Sequence, residues 1–286
     1  MTKTRSFLHD LKSNKKAVSP AISSVILTSA VVVLLLVTIV FANNFLNARL
    51  AENEFSAMKQ FMQTTGLQVD DVAWTIGRTQ TVRYTSRDGL VNFESSTLKY
   101  SVYVDRGAGY VFLVNYSVGI ILYNMPISRY SVGNGYSERI QPSSDRSFLQ
   151  KGTSAPVCHV FVIEKLPMND GNYIRVVAAP SVRMLNSTIS SNGEVKDYFK
   201  FYLPVLSSGT KPRNSQSITL VGNMVSVKTE SGINKIKIQV SNPKASLGFD
   251  QSFFGFDSTA KEIDVPDGSI MQFYTGEVFV SLGLHM

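Results

Sequence analysis

The side chains that carry most enzyme chemistry are thinly spread in this chain. It has three histidines, His9, His159 and His285, and one cysteine, Cys158. The histidines lie far apart, so no histidine-based metal site or triad stands out. Cys158 sits in Pro156-Val157-Cys158-His159-Val160-Phe161, an apolar run that reads as a strand. A thiol in that setting is expected to be buried and inert rather than nucleophilic. Asp70 and Asp71 form a carboxylate pair, the raw material of acid–base or calcium chemistry. No EF-hand spacing surrounds them, and they are expected at a solvated entry into the first strand. Gly107-Ala108-Gly109 and Gly133-Asn134-Gly135 lack the third glycine and following helix of a dinucleotide fingerprint, so both are expected in hairpin turns. Arg78, Arg83, Tyr84 and Arg87 with Trp74 form a basic, aromatic stretch of the kind that binds single-stranded nucleic acid. The same alternation fits an ordinary exposed strand face, which is preferred. Asn115-Tyr116-Ser117 and Asn186-Ser187-Thr188 are acceptor sequences for glycosylation at Asn115 and Asn186. No catalytic residue, metal site or cofactor is expected, and the chain is not expected to be an enzyme.

Charge sharpens that view. The 286 residues carry a formal net charge of +7. Lys3, Arg5, Lys12, Lys15 and Lys16 against Asp10 place +4 of it in residues 1–17, which leaves +3 for the rest. The basic balance therefore belongs to a leader, and no nucleic-acid partner is expected.

Behind the leader, no charged residue occurs from Ala17 to Ala48. The run Val25–Ala42 is about the ~20 residues that cross a bilayer core. Lysines precede it, whereas Arg49 after it is balanced by Glu52 and Glu54. The positive-inside rule then puts the leader in the cytoplasm and the remainder outside. A secretory signal peptide would have an apolar region of only ~7–15 residues and a small-residue site beyond it. Ser19 as N-cap with Pro20 at the first helical position marks the helix start. Past the apolar run, Ala51, Phe55, Met58 and Met62 recur at helical spacing with Phe61 adjacent, and Glu52, Glu54, Lys59 and Gln60 fill the other face. Gly66 is expected to end the helix. Such a helix can pack against copies of itself as well as against its own domain, with Ile22, Val25, Leu34, Phe55, Met58, Phe61 and Met62 as assembly candidates.

Lys15-Lys16-Ala17-Val18-Ser19-Pro20-Ala21-Ile22 resembles the class III signal sequence of archaeal type IV pilins. The resemblance covers about a tenth of the chain. It implies recognition of Lys15, Lys16, Ala17 and Val18 by a prepilin peptidase, with cleavage after Ala17 or one residue earlier. The helix would stay on the mature subunit, which would assemble with copies of itself or with other pilins into a surface or adhesion filament. Bacterial pilins carry a glutamate at the position of Ile22, which fits the archaeal pattern instead. The segment from Phe55 through Tyr103 also looks like a set of archaeal proteins with this leader.

After Gly66 the period changes from 3.6 to 2. Tyr100, Val102 and Val104 alternate with Ser101, Tyr103 and Asp105, and Ile236, Ile238 and Val240 with Lys235, Lys237 and Gln239. Asp88-Gly89, Asp170-Gly171, Asn192-Gly193, Ser231-Gly232 and Thr275-Gly276 are expected turns. The fold class is a long N-terminal α-helix followed by an all-β antiparallel sandwich-type domain, α+β and pilin-like. Its parts are a leader over 1–17, a helix over 18–66 that is transmembrane before assembly, and an extracellular β region over 67–286 with two lobes as an option, meeting near 145–155. The function expected is a structural subunit of a pilus-like filament. The alternative is a monomeric membrane-anchored binding or adhesion module.

Overall fold

The computed structural model describes residues 20–191, 194–209 and 216–283. Ser19 and the leader positions Lys15, Lys16, Ala17 and Val18 lie outside them, as do His9, His285 and the Asn192-Gly193 turn. One helix, α1 (Pro20–Ala73, 54 residues), is followed by eleven strands. The chain divides into two compact units, residues up to Leu50 and residues from Ala51 onward.

In the first unit every residue from Ile22 to Leu50 is solvent-exposed. Three of its hydroxyls are satisfied within the helix: Thr28 donates to the Ser24 carbonyl (2.9 Å), Ser29 to Val25 (2.8 Å) and Thr38 to Leu34 (2.7 Å). Such back-bonding leaves an apolar exterior that needs no water.

In the second unit α1 continues to Ala73. Ala51, Phe55, Met58, Met62, Thr65, Val69 and Val72 are buried at spacings of three and four. The expected stop at Gly66 is not one. A Cβ there would lie 2.9 Å from the Val160 methyl and 3.7 Å from Cys158 Sγ, so the missing side chain allows close helix–strand approach while the helix runs on. Asp70 and Asp71 accordingly belong to the last helical turns and not to a strand entry.

The strands are β1 (Thr79–Arg83), β2 (Leu90–Asp105), β3 (Tyr110–Pro126), β4 (Ser137–Gln141), β5 (Leu149–Lys151), β6 (Cys158–Glu164), β7 (Tyr173–Pro180), β8 (Val182–Ser191), β9 (Glu194–Ser208), β10 (Ser217–Ser241) and β11 (Ala260–Leu282). A four-residue helix, α2 (Gln251–Phe254), precedes the last strand. All eleven join one sheet in the order β4-β6-β7-β3-β2-β10-β11-β9-β8-β5, with β1 on the flank of β10. The pairings are antiparallel except β5 with β8 and β9 with β11. Residues 145–155 contribute β5 to the edge of this same sheet.

The period-two pattern divides the side chains between two cores. One takes Tyr100, Val102 and Val104, Ile236, Ile238 and Val240, and Phe201 and Phe273, closed by Phe249, Phe253, Phe254 and Phe256 around α2. The other takes the opposite side chains, among them Tyr123, Val160, Val162, Val176 and Val278, and the buried stripe of α1 lies on it. Of the expected turns, Asp88-Gly89 and Asp170-Gly171 connect elements, but Ser231-Gly232 and Thr275-Gly276 do not. Gly232 lies in β10 beside a register shift, with φ +67°, and Gly276 lies inside β11. A glycine in a strand is as well explained by a bulge or a close backbone approach as by a turn.

Candidate functional site

The feature most in need of a partner is the exposed helix Ile22–Leu50. Ile22 is 54% exposed, Val25 62% and Leu34 65%. None of its most apolar window is buried in the chain, and by length and composition the helix suffices to cross a membrane. Phe45 and Arg49 near its end form a cation–π pair at 5.3 Å.

The lower part of α1 is held differently. Phe55, Met58, Phe61 and Met62 are buried against the chain's own sheet, with Phe55 5.0 Å from the Tyr130 ring and Phe61 5.0 Å from Tyr84. Polar substitutions there would strike the stability of the domain first. Just before these residues Glu54 grips the turn before β2. Its carboxylate accepts hydrogen bonds from Ser86 Oγ (2.6 Å), Tyr123 Oη (2.8 Å) and the backbone N–H groups of Asp88 and Gly89 (both 3.1 Å). Burial alone would raise the Glu54 pKa, but the donors from Ser86, Tyr123 and Gly89 outweigh it and hold the group below its ordinary value of 4.5. The helix end is tied by Asp70, which accepts from Trp74 Nε1 (2.8 Å) and from Arg183 Nη1 (2.9 Å), while Asp71 pairs with Arg78. Lys59 pairs with Glu138 at 3.1 Å.

A carboxylate with a lowered native pKa stabilises the fold fully above its unfolded pKa and loses that contribution as pH falls through the native value. Glu54, Glu164 and Asp250, the last pushed down to about 2, all act in this sense. The domain is therefore expected to lose stability progressively from about pH 4.5 toward pH 2. Glu54→Gln should flatten part of that slope in thermal melts taken across the range. An unchanged slope would remove Glu54 as a contributor.

The other chemistry-bearing residues are accounted for structurally. His159 is fully buried, with Nε2 donating to the Ser147 carbonyl at 3.0 Å; burial and the nearby Arg139 push its pKa down to about 3, so the ring is neutral at physiological pH. Burial pushes the Cys158 thiol up, which removes it as a nucleophile. Among the described residues no group of three or more His, Cys, Asp or Glu is placed to hold a metal ion. Tyr84 is buried and Arg78 is paired, so the basic, aromatic stretch is not one continuous face. Gly107-Ala108-Gly109 joins the paired strands β2 and β3 as a hairpin turn, with Asp105 accepting from the N–H of Gly107 (2.7 Å) and Gly109 (3.0 Å). Gly133-Asn134-Gly135 lies in the connection from β3 to β4, which do not pair, so it is a turn but not the expected hairpin; Glu164 accepts from Val132 and Gly133 there. Asn115 on β3 and Asn186 on β8 are exposed. A cavity of about 680 Å³ beside α2 is lined by Arg146, Asp250 and Asp257, but Lys165 and Lys261 already hold its carboxylates at 2.6 and 2.8 Å.

No family model, curated protein or solved structure matches the chain. The candidate site thus rests on its own geometry: an uncovered apolar helix continuing into a domain that grips the lower part of that helix by packing and by buried polar contacts.

The residues missed from sequence are those gripping contacts. Glu54 looked like one of several polar-face residues, and its partners come from positions 86–89 and 123. Arg175, 1% exposed and held by both oxygens of Asp170 (2.7 and 2.8 Å), also gave no local signal. A linear pattern of periods reports neither the distant partners of Glu54 nor the pairing of Arg175 with Asp170 five residues before it.

Proposed function

We propose that the chain is a structural subunit of an archaeal type IV pilus-like surface filament, made as a leader-bearing precursor and assembled through its N-terminal helix. On this reading the large sheet serves as a pilin-like, sandwich-type head outside the membrane, and the leader is cytoplasmic until a prepilin peptidase removes it.

The observation that carries the reading is the extent of uncovered apolar surface. From Ile22 to Leu50 the helix is exposed on every side. At 1.5 Å per residue that is about 42 Å. A bilayer's hydrocarbon core takes up only ~30 Å of it without tilt. Exposed Phe45, Leu46 and Leu50 continue beyond the apolar run Val25–Ala42. Neighbouring helices of the same kind would cover the whole length, at ~25 cal/mol for each Å² of apolar surface removed from water.

Electron microscopy of material sheared from cells, with N-terminal sequencing of the subunit, tests the proposal. Filaments are expected, with a subunit beginning at Val18, or at Ala17 if the cut falls after Lys16. Recovery of the chain only as a monomeric membrane protein, however processed, would replace this reading by that of an anchored binding module.

A further inference from the structure

Away from the helix, strand register groups a set of outward side chains at the β2–β3 hairpin. Two rows cross four strands there. One reads Tyr110, Asp105, Lys235, Asp264, and the next Phe112, Tyr103, Lys237, Glu262. A register shift leaves Leu113 as the extra residue of β3, so Asn115 falls on the same face as Phe112, opposite Ser101. Gln239 continues that third row. Phe112 is 51% exposed and Tyr110 37%, and Asn115 and Gln239 are exposed beside them. The rings are held in place: Tyr103 meets Phe112 edge-on with centroids 5.6 Å apart, and Lys237 Nζ stands 5.3 Å from the Tyr110 ring centre. Both row lysines face a carboxylate, Lys237 with Glu262 at 3.0 Å and Lys235 with Asp264 at 3.3 Å. β2 begins beside Glu54, where α1 enters the domain, and reaches these rows about 40–50 Å along the strand.

We infer that this face is a binding surface for a neutral oligosaccharide. A pyranose ring has an apolar face of C–H groups and a rim of hydroxyls that both donate and accept hydrogen bonds. The exposed rings of Phe112 and Tyr110 offer the first a flat apolar partner with a negative π-face. The amides of Asn115 and Gln239 offer the second both donors and acceptors. Charge separates this ligand from others that aromatic surfaces take. Lys99, Lys235 and Lys237 on the face are balanced by Asp105, Glu262 and Asp264. Nucleic acid draws its affinity from unbalanced cations, and this face has no excess of them. Entry into a bilayer would take the three carboxylates out of water at high cost. Because the rings stand on paired strands, they are positioned before a ligand arrives. The inference rests on the proposed reading only in needing the sheet domain outside the membrane, and it adds what that domain binds; polymerisation is not required.

The test uses the full-length chain in detergent, made in a bacterial host so that Asn115 carries no glycan of its own. Isothermal titration calorimetry is run with hexasaccharides of glucose, of mannose and of N-acetylglucosamine. At least one is expected to bind, with an affinity unchanged between about 50 and 200 mM salt because no counterions are released. Phe112→Ala should weaken that binding about tenfold or more by removing the exposed ring. Gln239→Ala should weaken it several-fold, which keeps the test open should Phe112→Ala fold poorly. Met224→Ala, on β10 but outside these rows and 54% exposed, should leave it unchanged. A thymidine oligonucleotide and phosphatidylglycerol vesicles are titrated alongside. Binding of no hexasaccharide, binding of the oligonucleotide or the vesicles alone, or binding indifferent to both Phe112→Ala and Gln239→Ala overturns the inference and leaves the filament reading intact. A chain that binds a hexasaccharide as expected but forms no filaments on cells overturns the filament reading alone.

Discussion

Replacing Val32 by glutamate is expected to remove the chain from the membrane fraction and from polymers together. Val32 lies in the middle of the uncharged helix and is 53% exposed, so its side chain meets whatever covers that surface. On insertion scales a central acidic residue costs roughly 3 kcal/mol, more than a hundredfold in the membrane partition. Inside a bundle of like helices the same carboxylate would be unpaired and desolvated, and each copy would bring another. The sheet domain makes no use of Val32, so its thermal unfolding should be unchanged. Thr28→Val is the matched control: the Thr28 hydroxyl is bonded to its own helix at 2.9 Å, and losing it should leave both partitions intact. Alkaline extraction of membranes and sedimentation of sheared material read the two effects separately. Full retention of Val32→Glu in both fractions would mean that this surface is covered by neither lipid nor helices.

The second large effect is expected at Gly276, where even alanine should be badly tolerated. A Cβ on Gly276 would stand 2.1 Å from the carbonyl oxygen of Ala73 and 2.7 Å from its carbonyl carbon. The obstacle is backbone at the end of α1, held by the Asp70 contacts to Trp74 and Arg183, and it cannot rotate aside. Gly222 on the neighbouring strand meets the same helix end, with the Thr75 and Val72 oxygens at 2.4 and 2.6 Å. Overpacking of this kind costs about 2–3 kcal/mol. For a domain of this size that lowers Tm by roughly 5–10 °C. Gly66→Ala is the informative contrast, because its obstacle is a methyl group of Val160 that can shift, and a helical Gly→Ala change returns about 1 kcal/mol. Differential scanning calorimetry should rank Gly276→Ala far below Gly66→Ala. The opposite ranking would show that the helix end is not seated on these glycines.

These two predictions draw on different kinds of information. The first is legible in the residues alone. A charge-free run flanked by lysines on one side demands an apolar environment wherever it lies, because no fold of the rest of the chain changes the hydration of Val, Leu and Ile. Strand identity was legible as well, since alternation at Tyr100–Asp105 and Lys235–Val240 reflects the pleat itself. The second prediction was invisible beforehand. Glycine allows a turn, a bulge or a close contact with equal ease, so the dipeptide Thr275-Gly276 alone does not distinguish a turn from the seat of a helix end.

The sequence thus determined by itself that one long apolar helix precedes a β-rich region, and that the longest charge-free apolar run lies on that helix. Tertiary structure alone decided which side of the lower helix is occupied. The stripe Phe55, Met58, Phe61, Met62 would serve a neighbouring copy or the chain's own sheet equally well, because hydrophobic burial is non-directional. Only the positions of Tyr84, Tyr123 and Val160 assign it to the sheet, and that assignment turns the opposite side of the helix outward.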